Sequence, residues 1–126
     1  VFTHGNMPKN FVTLVKQHGA LLAKGWLLGV QFDTLFTDDL YCRIARHAND
    51  AADRIREVLV ERGYTLTFDA PTNQIFITLD NATSERLQRN VRLGFMEKAD
   101  DTHTVMRICT SWATTDEQVE QLIALL

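Results

Sequence analysis

The stretch YTLTFDAPTNQIFITL, residues 64–79, decides the fold. Its first six residues alternate apolar and polar, the next few (Ala70, Pro71, Thr72, Asn73) are turn formers, and the last six alternate again with β-branched residues prominent. An alternation of period two sends successive side chains to opposite faces, so 64–69 and 74–79 are expected to be strands that can pair as a hairpin. Toward the C-terminus the spacing predicts a short helix over about 83–93, opened by Asp80 or Asn81 and closed by Gly94. Two further strands follow, FMEKA (95–99) and HTVMRICT (103–110), divided by the polar DDTH. Thr114 and Glu117 then stand at capping-box spacing before the apolar Val119, Leu122, Ile123, Leu125 and Leu126, which predicts a closing helix.

Toward the N-terminus the period lengthens. Leu40, Tyr41, Ile44, Ala45, Ala48, Ala51, Ala52, Ile55, Val58 and Leu59 form one stripe at helical spacing, with Arg43, Arg46, Asp50, Asp53, Arg54, Arg56 and Glu57 opposite it. Thr37 or Asp38 is the expected cap, and Gly63 the stop. From residue 37 the order is helix, two strands, helix, two strands, helix, which is an α+β arrangement: a short, mostly antiparallel sheet with helices on one face. Before it, Pro8 suits the first turn of a helix that runs to about Gly19. HGALLAKGWLLGVQFDTLF (18–36) then reads as a second helix, apolar on nearly every side, as expected of one buried between layers or subunits. Glycines 19, 25 and 29 interrupt it, and close packing or a ligand is the expected reason.

The composition sets limits. With 45 % hydrophobic residues in 126 and a net charge of −3, the chain has the makings of a globular core and no basic stripe for a phosphate backbone, which argues against nucleic acid. No apolar run approaches the roughly 20 residues that span a bilayer, and the N-terminus lacks a secretory pattern; a cytoplasmic protein that does not enter membranes is expected. Cys42 and Cys109 have no CxxC partner, so each reads as a small buried side chain, and no histidine or carboxylate pair has metal-ligand spacing.

One residue stands out chemically. Arg107 interrupts the apolar run VMRIC. On pattern alone it lies either on the solvent face of its strand or in a cleft, and a guanidinium in a cleft grips a carboxylate through two parallel hydrogen bonds. Lys16 and Lys24 flank Gly19, with His18 beside them, which places basic residues at a helix corner where an anion could bind. Asn73 and Gln74 are expected to order the turn before their strand, with reaching the mouth of an active site as the alternative, and Ser111 and Trp112 to close the corner beneath Arg107.

Three stretches, KQHGALLAKGWLLGVQF (16–32), DAPTNQIFITL (69–79) and VMRICTSWATTDEQVEQLI (105–123), occur in an order and at separations that resemble the C-terminal part of the threonine aldolase-like β-eliminating lyases. These are pyridoxal-phosphate enzymes of the aspartate-aminotransferase fold, fold type I. The resemblance implies that residues 1–36 are the end of a large domain, with 1–4 finishing a strand and the helices crossing between domains, and that 37–126 are the small C-terminal domain. It implies that the Schiff-base lysine lies upstream of Val1, so that this segment holds no catalytic residue and is inactive alone. Arg107 matches the arginine that binds the substrate α-carboxylate. Lys16, Lys24 and His18 fall near the corner that faces the cofactor, although the family's run of glycines followed by arginine is here HGALLAK. The expected parent is a pyridoxal 5'-phosphate-dependent L-threonine or L-allo-threonine aldolase, a homodimer or homotetramer acting on a small amino acid. β-Elimination and transamination are the alternatives within that chemistry, and a stand-alone dimerisation or ligand-binding module is the alternative outside it.

Overall fold

The structure is a computed structural model that describes residues 5–126, so the strand end expected at 1–4 lies outside the described residues. The chain divides into two compact units, Val1–Leu40 and Tyr41–Leu126.

In the first unit, helix α1 (Phe11–Gln17) ends where Gly19 turns to φ +65°, a left-handed backbone that a side chain disfavours. The second helix is shorter than its apolar run suggested. Residues 20–25 form a connection and turn, with Gly25 N–H donating to the Leu22 carbonyl, and α2 spans only Trp26–Phe36. It exposes Trp26, Leu28, Val30, Phe32 and Phe36 rather than burying them. At Gly29 an added Cβ would meet nothing, so no close packing explains that glycine. A single 3-10 turn, Thr37–Asp39, follows, in which Asp38 (φ 50°) and Asp39 (φ 59°) both adopt left-handed backbone. That kink corrects the expected cap. The Thr37 hydroxyl donates back to the Asp33 carbonyl at 2.6 Å and so finishes α2 instead of opening the next helix.

The second unit is α+β. Helix α3 (Leu40–Glu61) buries Ala48, Ala51, Ala52, Ile55 and Leu59, while Tyr41 and Ala45 in its first turns stay exposed. The strands are β1 (Thr65–Leu66), β2 (Gln74–Asp80), β3 (Gly94–Lys98) and β4 (His103–Cys109), in the order β1-β2-β4-β3 with every pairing antiparallel. The hairpin expected from 64–79 is therefore present, although its first strand is cut to two residues. Between them, β2 and β4 pair along seven positions from Gln74↔Cys109 to Asp80↔His103. The pairing of β3 with β4 carries a register shift between Phe95 and Glu97.

Helix α4 (Asn81–Gln88) is capped by Asp80, which accepts from Thr83 N–H, as expected; it ends at Gln88, and Gly94 belongs to β3 instead of closing the helix. Helix α5 (Asp116–Leu125) has its capping box one residue later than predicted, on Thr115 and Gln118. The Thr114 hydroxyl is instead occupied by Ser111 N–H at 2.8 Å. Such a cap contributes about 1 kcal/mol.

One face of the sheet carries the core. Ile75, Ile77 and Leu79 of β2 and Met106 and Ile108 of β4 meet Ile55 and Leu59 of α3, Leu87 of α4, and Val119 and Leu122 of α5. Polar contacts at the rim tie the helices down: Thr110 Oγ1 donates to the Ala48 carbonyl at 2.6 Å, and Arg54 pairs with both Asp116 and Glu120. These last pairs are exposed, so each adds little. Cys42 and Cys109 are both exposed, contrary to the buried roles expected of them. Cys42 lies off the buried stripe of α3, and Cys109 is the last residue of β4, facing away from the core.

Candidate functional site

The period of two that sends Met106 and Ile108 into the core sends Val105, Arg107 and Cys109 to the opposite face of β4. Cross-strand pairing sets Phe76 of β2 on one side of Arg107 and Gly94 of β3 on the other. The arginine is half-buried. Its Nη1 donates to Gln74 Oε1 at 3.3 Å, a long hydrogen bond. Its Nε is buried and has no partner among the described residues, and no carboxylate there pairs with it. A Cβ at position 94 would sit 3.5 Å from that Nε, so the arginine side chain runs directly across the glycine. Phe76 stacks on Phe68 with ring centroids 4.5 Å apart, which gives the site an aromatic border.

A half-buried cation with no acid beside it and one donor unfilled is costly, because desolvation is uncompensated. An anion at the accessible end of the guanidinium would offset the uncompensated charge. Sequence reasoning singled out Arg107 and kept Gln74 as an alternative near the site, but did not show that Gln74 bonds the arginine or that Gly94 lies beside it. Strand register brings these three together, and register is set by long-range pairing that a local pattern does not reveal. Asn73 does order its turn: Nδ2 donates to the Thr110 carbonyl at 2.6 Å. Ser111 likewise orders its corner, but Trp112 is 70 % exposed and covers nothing beneath Arg107. Instead it borders an open groove of about 280 Å³ with Tyr41, Ile44 and Ala45 of α3.

Lys16 lies in α1, His18 caps its C-terminus and Lys24 lies in the turn before α2. All three are exposed, and no described residue of their unit is buried, so these side chains alone do not build a cradle for pyridoxal phosphate. Among the described residues no group of three or more His, Cys, Asp or Glu could hold a metal ion, and no helix is long and apolar enough to cross a membrane.

A second polar cluster lines a cavity of about 580 Å³ with Arg62, Tyr64, Asp80, Asp100 and His103 on its walls. Asp100 accepts from Thr102 N–H at 2.6 Å, the Thr102 hydroxyl at 2.8 Å and His103 N–H at 2.7 Å. These bonds, led by the one from the Thr102 backbone, hold its carboxyl well below the ordinary aspartate value of 3.8. Asp80 is lowered too, chiefly by the Thr83 backbone N–H that it caps. Because the folded carboxylates ionise at lower pH than the unfolded ones, their contribution to stability is complete above the unfolded value near 3.8 and drains away as pH falls through the folded pKa. Asp100→Asn should therefore lower Tm at neutral pH, and its deficit relative to the parent should shrink as acidification passes below the ordinary carboxylate range. A deficit that is constant with pH would contradict the ionic origin.

No protein-family model matches the chain, and no curated protein does. Solved structures do. A threonine aldolase from Leishmania major matches 94 % of this chain at 35 % sequence identity with a TM-score of 0.84, and the chain spans 34 % of that protein. A serine palmitoyltransferase from Sphingomonas wittichii matches 64 % of the chain at 22 % identity with a TM-score of 0.53, and 22 % of that protein is covered. A structure of SPT with a PLP internal aldimine matches 60 % of the chain at 10 % identity with a TM-score of 0.50, over 21 % of its length. The last two share the fold alone. Taken with the antiparallel sheet and its one-sided helices, the first likeness identifies the chain as a C-terminal threonine aldolase-like segment with an α+β fold, similar in structure to a fold type I pyridoxal-phosphate enzyme.

Proposed function

We propose that the chain is part of a pyridoxal 5'-phosphate-dependent amino-acid lyase, an L-threonine or L-allo-threonine aldolase that yields glycine and acetaldehyde, and that Arg107 holds the substrate α-carboxylate. The observation that carries this reading is the state of Arg107: half-buried, unpaired with any acid among the described residues, and left with an unfilled Nε–H. A planar guanidinium offers a carboxylate two parallel donors, which fixes the direction of the bound amino acid as well as its affinity. Fixing that direction orients the Cα–Cβ bond for cleavage, where binding geometry lowers the barrier. The cofactor, when bound, supplies the electron sink for that cleavage. Residues outside this chain are proposed to hold it and to provide the Schiff-base lysine, with Lys16 and Lys24 adding positive charge and His18 a hydrogen bond toward its phosphate. The exposed apolar residues of α2 support assembly into a homodimer or homotetramer, and a cytoplasmic location fits the reading.

The test uses the intact protein supplied with pyridoxal phosphate and, separately, L-threonine and L-allo-threonine. Acetaldehyde and glycine released in equal amounts support the aldolase. Ammonia without glycine would replace it by β-elimination, and consumption of an added keto acid by amino-group transfer. No turnover of any of these kinds would remove the lyase reading.

A further inference from the structure

An arginine that must remain free for a substrate needs something to hold it in place without neutralising it. Around Arg107 the two flanking strands meet that need from opposite sides. On β2, Gln74 offers a carbonyl to Nη1, and that carbonyl carries no charge. On β3, Gly94 contributes no side chain where the arginine crosses. With one Nη1 donor taken and Nε buried beside Gly94, the donors within reach of an incoming group are those of Nη2 and the second N–H of Nη1. We propose that Gln74 is the positioning residue for Arg107: its neutral carbonyl fixes one nitrogen, leaves the positive charge uncompensated, and leaves the Nη2 end of the guanidinium for the carboxylate of the amino acid. This rests on the reading of Arg107 as the carboxylate site.

The choice of glutamine over glutamate is the informative part. The two side chains have nearly the same shape, so glutamate reaches the same nitrogen. As a carboxylate, however, it would pair with Arg107 internally and compete with the incoming ligand. Methionine, of similar length but without an acceptor of comparable strength, would leave the guanidinium unanchored yet still cationic.

The experiment compares Gln74→Glu, Gln74→Met and Arg107→Ala in the intact enzyme, measuring KM and kcat separately and, by calorimetry, the binding of glycine and of its carboxylate-free counterpart methylamine. Gln74→Glu is expected to weaken glycine binding and raise KM by about tenfold or more, with kcat changed less and methylamine binding unchanged. Gln74→Met should weaken glycine binding by only a few-fold, and neither variant should lower Tm appreciably, because Gln74 lies outside the buried core. A loss of fold in Gln74→Glu would be detected by Tm, and the Gln74→Met arm would then decide. If Arg107→Ala weakens glycine binding while both Gln74 variants bind it within about twofold of the parent, the positioning role is overturned and the carboxylate site stands. If Arg107→Ala itself leaves glycine binding intact, the carboxylate site falls and the role of Gln74 falls with it.

Discussion

If Arg107 holds the substrate carboxylate as proposed, Arg107→Ala is expected to lower kcat/KM of the intact protein by about a hundredfold or more, because a bidentate, charge-assisted contact would be lost. Arg107→Lys should recover only part of this, since an ammonium cannot present two parallel donors. Stability should move in the other direction or not at all. The guanidinium is half-buried without an acid partner and keeps one unfilled donor, so its removal relieves a desolvation cost instead of breaking a stabilising pair. A residue there for structure alone would give the reverse pattern, with Tm reduced and kcat/KM within about threefold of the parent. Steady-state kinetics and thermal unfolding of the same preparations separate the two.

The second large effect is on folding. Ile77 is fully buried at the centre of β2, paired with Met106 and enclosed by the core that α3, α4 and α5 share. Ile77→Ala should cost about 2–5 kcal/mol, the sum of lost transfer energy and the cavity left behind. Against a typical total of about 5–15 kcal/mol, that removes a large fraction of the stability. Phe68→Ala, on the other face and 53 % exposed, should cost much less. Denaturant unfolding measures both, and an Ile77→Ala loss no larger than that of Phe68→Ala would mean that the core lies elsewhere.

Much of this architecture was legible in the sequence because the two periodicities are clean where burial is one-sided. The stripe of α3 and the alternation of β2 and β4 each follow from a single apolar face against a single core. The errors fall where local signals are degenerate. Thr114 and Thr115 both stand three residues before a side chain able to complete a capping box; the turn from Ser111 uses up the hydroxyl of the first and leaves the second. Leu21 and Leu22 extend the apolar run of α2, but the turn that closes on Leu22 keeps them out of the helix. Gly94 looked like a helix stop because a glycine after a helical stretch usually is one; its position opposite Arg107 depends on a partner strand ten or so residues away. The same holds for the candidate site. The arginine itself was legible as a cation within an apolar strand, whereas its neutral anchor on β2 required the register.

The irregular pairing of β3 carries a further consequence for the molecule's life in concentrated solution. A sheet with two borders offers two templates onto which a foreign strand could zip, and here one border, β1, is only two residues long. The other breaks its even ladder between Phe95 and Glu97 and then ends in Glu97 and Lys98, so an incoming strand meets a kinked row of amides flanked by charge. Fibril growth by edge-on stacking is thereby discouraged at both ends of the sheet, even though Phe95 and Met96 lie open to water.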